Sequence, residues 1–350
     1  MKASELYEKL KGEIGKELFG KEESIRYVVT ALLAGGHVLL EDVPGTGKTS
    51  LIRALAAALG AESRRVQFTP DLLPSDITGI HFYNQQEGTF TLRRGPVFTN
   101  LLLADEINRA TPRTQAALLE CMEERQVTLD GETLPLPDVF FVMATMNPIE
   151  FQGTFPLPEA QIDRFLMKLH LGYPSEAAER QVVERVCGGE DREKPQTVAS
   201  LDDVAAARAE AAKVYVSPAM RDYIVALVRA TREQEKIRLG ASPRGVVAMT
   251  KAARAYAAIL GRDYVLPDDV KQLAVPVYAT AETVASLREA QYLTESQGIA
   301  LPEGASVCVA DMAFSAFPTS HDAVGSCGYR IHTADDRTCA VCTDLGCVTD

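Results

Sequence analysis

The chain has 350 residues, a formal net charge of −12 and 46% apolar residues, enough for about two or three domains with real cores. The acidic balance argues against general nucleic-acid binding, and no run of about 18 apolar residues offers a membrane span. The N-terminus, beginning Met1-Lys2-Ala3-Ser4, is a charged amphipathic helix rather than a leader, so cytoplasmic residence is the expectation.

Residues 3–16 and 22–33 read as helices, joined by Leu18-Phe19-Gly20-Lys21. Residues 37–40 form a short apolar segment of buried-strand type, and 49–59 a strong helix former closed by Gly60. Between them lies Glu41-Asp42-Val43-Pro44-Gly45-Thr46-Gly47-Lys48-Thr49-Ser50. Strand, glycine loop and helix are the context a phosphate-binding loop requires. Gly45 and Gly47 let backbone N–H groups turn inward as an anion nest, and the helix N-terminus adds partial positive charge. Lys48 would reach the β- and γ-phosphates, and the Thr49 hydroxyl would ligate Mg²⁺. The full pattern wants glycine at 42, where this chain has Asp42. The alternative is an ordinary strand-to-helix turn that contains Gly-Lys-Thr.

A short strand at 65–68 and a loop at 69–76 follow. Residues 79–96 alternate polar and apolar around Gly88, a hairpin signal. Residues 98–106 are an apolar buried strand ending in Asp105 and Glu106. A phosphate-loop ATPase needs one acid to hold Mg²⁺ and a second to orient the attacking water. Asp105 is assigned to the metal and Glu106 to the water; the bland alternative is a strand ending at a polar surface. Thr111 and Pro112 start a helix over 112–124. Residues 126–136 are a second hairpin with an Asp130-Gly131 turn. A third buried strand, 139–145, ends in Met146-Asn147-Pro148. Asn147 sits where ligands bind in open α/β sheets, although an Asn before Pro148 also starts turns.

An irregular loop at 151–158, a short helix at 159–166 and a strand at 167–171 close the first domain, assigned to 1–174. The second, 175–278, reads as all helical: 176–187, 201–214, 218–232, 244–260 and 267–276. Arg244 begins an apolar helix after Gly240-Ala241-Ser242-Pro243. A cation there opposes the helix dipole, which favours a functional role over a solvated helix-start charge.

These motifs, in this order, resemble the MoxR-type AAA+ ATPases over residues 15–277. The resemblance rests on the phosphate loop, the segment Leu101–Ala110, Ala144-Thr145-Met146-Asn147-Pro148, residues 155–165, and Ser242-Pro243-Arg244. It implies an α/β fold: a phosphate-loop core with a parallel sheet and helices on both faces, plus a small all-α lid. It implies ATP and Mg²⁺ as ligands, with Pro44, Gly45, Thr46, Gly47, Lys48, Thr49 and Ser50 around the phosphates. Thr49 and Asp105 would hold the metal. By the same resemblance Asn147 is the sensor-1 residue, Arg164 the arginine finger for a neighbouring subunit, and Arg244 the sensor-2 residue tying lid to nucleotide. Gly20 falls where the adenine-side loop lies. The hairpins at 79–96 and 126–136 resemble the two inserts that face a ring channel. A homo-oligomer, most simply a hexamer, is implied, with a client protein remodelled and a von Willebrand A domain protein as partner. A nucleotide-dependent binding switch with weak hydrolysis is the alternative function.

After Tyr278 the composition changes. Cys308, Cys327, Cys339, Cys342 and Cys347, five of the seven cysteines, crowd the C-terminal end with His321 and His332. Residues 280–290 read as a helix, then come short alternating strands. The stretches around 317–329 and 342–346 resemble part of a metallo-β-lactamase-fold hydrolase of the YycJ/WalJ type, which implies His321 and Asp344 as two metal ligands. The family's main ligand cluster is absent, and two ligands do not hold a two-metal site. Residues 279–350 are therefore expected to be an incomplete, non-catalytic α/β fragment. A zinc knuckle of Cys339, Cys342, Cys347 and His321 is the weaker alternative, so zinc is not expected in the tail.

Overall fold

The computed structural model describes residues 1–41, 45–85, 88–147, 153–187, 194–233 and 240–273, and beyond them only the strands named below. The chain divides into Met1–Val265 and Leu266–Asp350.

The first unit opens with α1 (Ala3–Gly15) and α2 (Glu22–Ala34). Ala3, Leu6, Tyr7, Leu10 and Ile14 are the buried face of α1, the three-and-four spacing of an amphipathic helix. β1 (Val38–Glu41), α3 (Lys48–Leu59) and β2 (Ser63–Gln67) follow. Next come the short helix α4 (Pro74–Thr78) and the hairpin of β3 (Gly79–Asn84) and β4 (Thr89–Arg94). β5 (Leu101–Asp105) leads through a 3₁₀ turn, Ile107–Arg109, to α5 (Pro112–Glu124). A second hairpin, β6 (Gln126–Leu129) with β7 (Glu132–Pro135), precedes β8 (Phe141–Met146). After α6 (Glu159–Ile162) and β9 (Met167–Leu169) the unit is helical: α7 (Glu176–Cys187), α8 (Leu201–Ala211), α9 (Pro218–Glu233) and α10 (Pro243–Ile259).

Five strands form one sheet in the order β2-β5-β8-β1-β9, and every neighbouring pair is parallel. Val38 to Leu40, Leu101 to Ala104 and Phe141 to Ala144 are fully buried. Strands covered on both faces read as unbroken apolar runs rather than alternating ones. β2 lies at the edge, where exposed Arg64 and Arg65 guard the open side against pairing. The register decides where chemistry can sit. Gln67 lies opposite Asp105, Ala104 opposite Ala144 and Leu40 opposite Thr145. The carboxyl ends of four strands therefore finish along one rim, where open parallel sheets bind ligands.

His37 fastens this arrangement from inside. It is buried, its Nδ1 accepts the Val142 N–H at 3.0 Å, and its Nε2 lies 3.2 Å from the Met122 carbonyl. That pattern fixes the neutral tautomer with the proton on Nε2. Burial is the main cause that pushes its pKa down to about 3. The ring thus ties the start of β1 to α5 and β8.

Element boundaries differ from the sequence reading in places with local causes. The strand expected from 98 begins at Leu101, because the Phe98 and Thr99 N–H groups bond to the Gly95 and Val97 carbonyls in turns. The helix expected to reach 214 stops at Ala211. α10 begins one residue before Arg244, with the Ser242 hydroxyl accepting the Arg244 N–H.

The second unit contains α11 (Pro267–Gln272), whose capping box uses Asp269, and then strands. β10 (Val277–Ala279) and β11 (Gly298–Ala300) pair in parallel. β12 (Ser306–Val309), β13 (Met312–Pro318), β14 (Cys327–Thr333) and β15 (Thr338–Cys342) form an antiparallel sheet in chain order. The helix expected at 280–290 lies outside the described residues, as do His321, Asp344 and Cys347. Among the described residues no helix is long and apolar enough to cross a membrane.

Candidate nucleotide site

A cleft of about 420 Å³ opens along the rim described above. Gly45, Gly47, Lys48, Thr49 and Ser50 form one wall, and Asp105, Glu106 and Asn147 face them. Arg65 and Gln67 complete the lining. Gly47 is the N-cap of α3 at φ 93°, a left-handed conformation that side chains disfavour. A Cβ there would stand 3.0 Å from Leu18 Cδ1. Thr46, within the loop, is buried, and Pro44 lies outside the described residues.

The two acids are held by different partners. Asp105 Oδ1 accepts the Thr145 hydroxyl at 2.6 Å. Asp105 Oδ2 accepts from Arg65, 2.6 Å from Nη2 and 3.2 Å from Nε. Glu106 Oε2 accepts from Gln67 Nε2 at 2.7 Å and Arg109 Nη1 at 2.9 Å. Arg65 Nη2 also donates to Gln67 Oε1 at 2.7 Å, which links the two pairs into one chain. Glu106 has φ 57° and ψ 51°, a left-handed backbone rarely occupied by a residue with a side chain. Its N–H donates to Thr145 Oγ1 at 2.8 Å. One buried hydroxyl therefore orients both acids, and strain of this kind gathers at functional sites.

Asn147 is 6% exposed and follows β8 directly. Asn108 Nδ2 donates to its carbonyl at 3.4 Å. Gln115, fully buried, donates to the carbonyls of Ile107, Ala110 and Phe155. The turn after Glu106 is thereby tied to the loop that leads to α6.

Three of the residues singled out from the sequence stand apart from the cleft lining. Gly20, at φ 65°, packs toward Ala178, where a Cβ would come within 3.3 Å. Its neighbour Lys21 donates from Nζ to the carbonyls of Leu171, Gly172 and Tyr173. Arg164 and Arg244 both meet Glu123 of α5, through Nε at 3.3 Å and Nη2 at 2.5 Å. Arg65, Gln67, Arg109 and Thr145 were not singled out from the sequence. Arg65 and Gln67 alternate on a strand and so share a face. Thr145 is the single hydroxyl in an otherwise apolar strand. Both signals were present.

The donor set suits a magnesium nucleotide: a hydroxyl, two carboxylates, a lysine and a glycine loop at a helix N-terminus of twelve residues. Mg²⁺ binds through one or two such oxygens plus substrate phosphates rather than in an all-protein cage. Among the described residues no cluster of three or more His, Cys, Asp or Glu residues is placed to hold a metal.

Comparison with known proteins gives the family. Residues 37–167 match the ATPase family associated with various cellular activities (AAA), and residues 229–294 match the AAA lid domain. The lid match runs past Tyr278, where the sequence reading ends its resemblance. The chain is 51% identical over 261 residues to YeaC of Bacillus subtilis (strain 168), covering 75% of this chain and 82% of that protein. It is 44% identical over 267 residues to Chaperone MoxR1 of Mycobacterium tuberculosis, covering 74% of this chain and 70% of that one. A crystal structure of a Cytophaga hutchinsonii protein assigned as an ATPase superposes with a TM-score of 0.72 at 43% identity, covering 78% of this chain and 85% of the other. The matches described above do not support the metallo-β-lactamase resemblance of the tail. Phosphate loop, paired acids, parallel sheet and lid together place this chain in the MoxR-type family of AAA+ ATPases.

Proposed function

We propose that this chain hydrolyses ATP with Mg²⁺ as part of a ring, most simply a hexamer, and uses the turnover to remodel a client protein. The observation that carries the reading is the convergence of the glycine loop and Lys48 with Asp105, Glu106 and Asn147 in one cleft. The loop N–H groups and Lys48 bind the phosphates. Thr49 and Asp105 are the residues to hold Mg²⁺, which would offset phosphate charge when bound. Glu106 Oε2 is engaged by Gln67 and Arg109, whereas Oε1 has no hydrogen bond among the described residues. Oε1 is the atom assigned to accept from the attacking water, with Asn147 holding that water's other side.

Arg164 stands outside its own cleft, which favours its delivery to a neighbouring subunit, where a fixed cation meets transition-state charge. Chaperone-like work is supported by the name of the Mycobacterium tuberculosis relative. The hairpin β3–β4 supplies a surface for a client: Ile80, Phe82, Tyr83 and Phe90 are 45–73% exposed. His81 Nδ1 lies 2.8 Å from Asp130 Oδ2, which ties this hairpin to the turn between β6 and β7. A core of 1–174, a lid of 175–278, a von Willebrand A domain partner and cytoplasmic residence belong to the same proposal.

The test is the ATPase rate per subunit against protein concentration, for wild type and Glu106→Gln. The rate should rise as subunits assemble, and Glu106→Gln should lower it by about a hundredfold or more. A wild-type rate that stays flat on dilution through the assembly range defeats the trans arrangement.

A further inference from the structure

Glu123 belongs to none of the motifs, yet two of them converge on it. It lies in the last turn of α5, next to Met122, whose carbonyl faces His37 Nε2 at 3.2 Å. Its Oε2 is 3.3 Å from Arg164 Nε, and its Oε1 is 2.5 Å from Arg244 Nη2. Beside this bridge the Ser242 hydroxyl donates to Asp163, 2.7 Å from Oδ2 and 3.0 Å from Oδ1. Segments 163–164 and 242–244, distant in sequence, are stitched together at two adjacent points.

Two guanidinium groups repel each other, and a carboxylate between them is what lets both occupy one place. Glu123 and the two arginines together carry one net positive charge, with the Asp163 carboxylate beside them. The cluster is also accessible: Arg164, Glu123 and Arg244 side chains are 30%, 33% and 58% exposed. The manner of gripping matters. Glu123 meets Arg164 as an ion pair at Nε and accepts a hydrogen bond from a single Nη of Arg244, and the Arg164 side chain makes no hydrogen bond among the described residues. A guanidinium has five N–H donors in a rigid fork. Each arginine can therefore keep its hold on Glu123 and still present a fork to an anion. Neither lines the cleft of its own chain.

We propose that Glu123 is a positioning residue for ATP hydrolysis. It fixes Arg164 and Arg244 as one paired cation, oriented toward the phosphates bound by a second copy of this chain. Glu123 touches no reacting atom and acts only through the arginines. The inference rests on the trans reading of Arg164 given above.

The experiment compares full-length wild type, Glu123→Gln, Arg164→Ala and the double variant, at a concentration where the wild type is assembled. Glu123→Gln should lower kcat about ten- to a hundredfold, the cost of a misplaced catalytic group. KM for ATP and the affinity for a fluorescent ATP analogue should stay within about twofold, because the cleft walls are untouched. A merely structural bridge would lower the melting temperature and leave kcat per folded subunit unchanged. Glu123→Gln should cost nothing further in the Arg164→Ala background, since contacting residues that act as a unit are not additive. Wild-type kcat in Glu123→Gln, with Arg164→Ala impaired, overturns this proposal and leaves the trans reading standing. Wild-type kcat in Arg164→Ala overturns both. If Glu123→Gln does not bind the analogue, Glu123→Asp replaces it: one methylene shorter, it loses reach to an arginine, so kcat should fall, and an unchanged kcat counts against the proposal.

Discussion

Thr145→Val removes one hydroxyl and tests whether a single buried group holds both acids of the cleft. Thr145 is fully buried. Its hydroxyl donates to Asp105 Oδ1 at 2.6 Å and accepts from the Glu106 N–H at 2.8 Å. A hydrogen bond to a charged group contributes about 1.5–3 kcal/mol and a neutral one about 0.5–1.5 kcal/mol. Because the Glu106 N–H loses its partner in a left-handed backbone, the loss should be about 2–4 kcal/mol. Thr145→Ser keeps the hydroxyl and loses only a methyl, about 1 kcal/mol. The chain has no tryptophan, so urea unfolding is followed by far-ultraviolet circular dichroism, and ATPase rates are measured on the same samples. Thr145→Val should be less stable than Thr145→Ser, and its kcat about tenfold lower because Asp105 and Glu106 lose their common anchor. Equal stability and equal kcat in the two variants would refute the argument that this hydroxyl orients the acids.

His37 gives a pH prediction whose sign is fixed by its environment. Its folded pKa is about 3 against an ordinary 6.5, so the unfolded chain takes up the proton first as pH falls. The stability His37 contributes is complete above about pH 6.5 and is lost progressively toward pH 3, amounting to about 2 kcal/mol at pH 5. In His37→Asn the drop in unfolding free energy between pH 8 and pH 5 should be smaller by that amount; an identical drop would show that His37 is not buried and neutral. Gly47→Ala places a side chain at φ 93° and a Cβ 3.0 Å from Leu18 Cδ1. It should cost about 1–3 kcal/mol of stability and weaken binding of the fluorescent ATP analogue, and unchanged binding would remove the need for glycine in this loop.

What could be read from the sequence was what is local along it. The inner strands announced themselves as apolar runs because both faces of a parallel sheet are covered. Lys48, Thr49, Asp105, Glu106 and Asn147 each stand just past such a run, and parallel pairing carries every one of those positions to the same rim. No pattern along the chain announces Glu123, because its meaning comes from residues 41 and 121 positions away, Arg164 and Arg244. The same holds for Arg65, an ordinary exposed edge-strand charge until the register sets its strand beside β5. Arg244 shows the difference most clearly. At a helix N-terminus its charge looks misplaced, and apart from the family motif Ser242-Pro243-Arg244 that misfit was the only local sign. Glu123 resolves it: the carboxylate compensates the unfavourable dipole, and by holding Arg164 as well it turns a local electrostatic oddity into a link between lid and core.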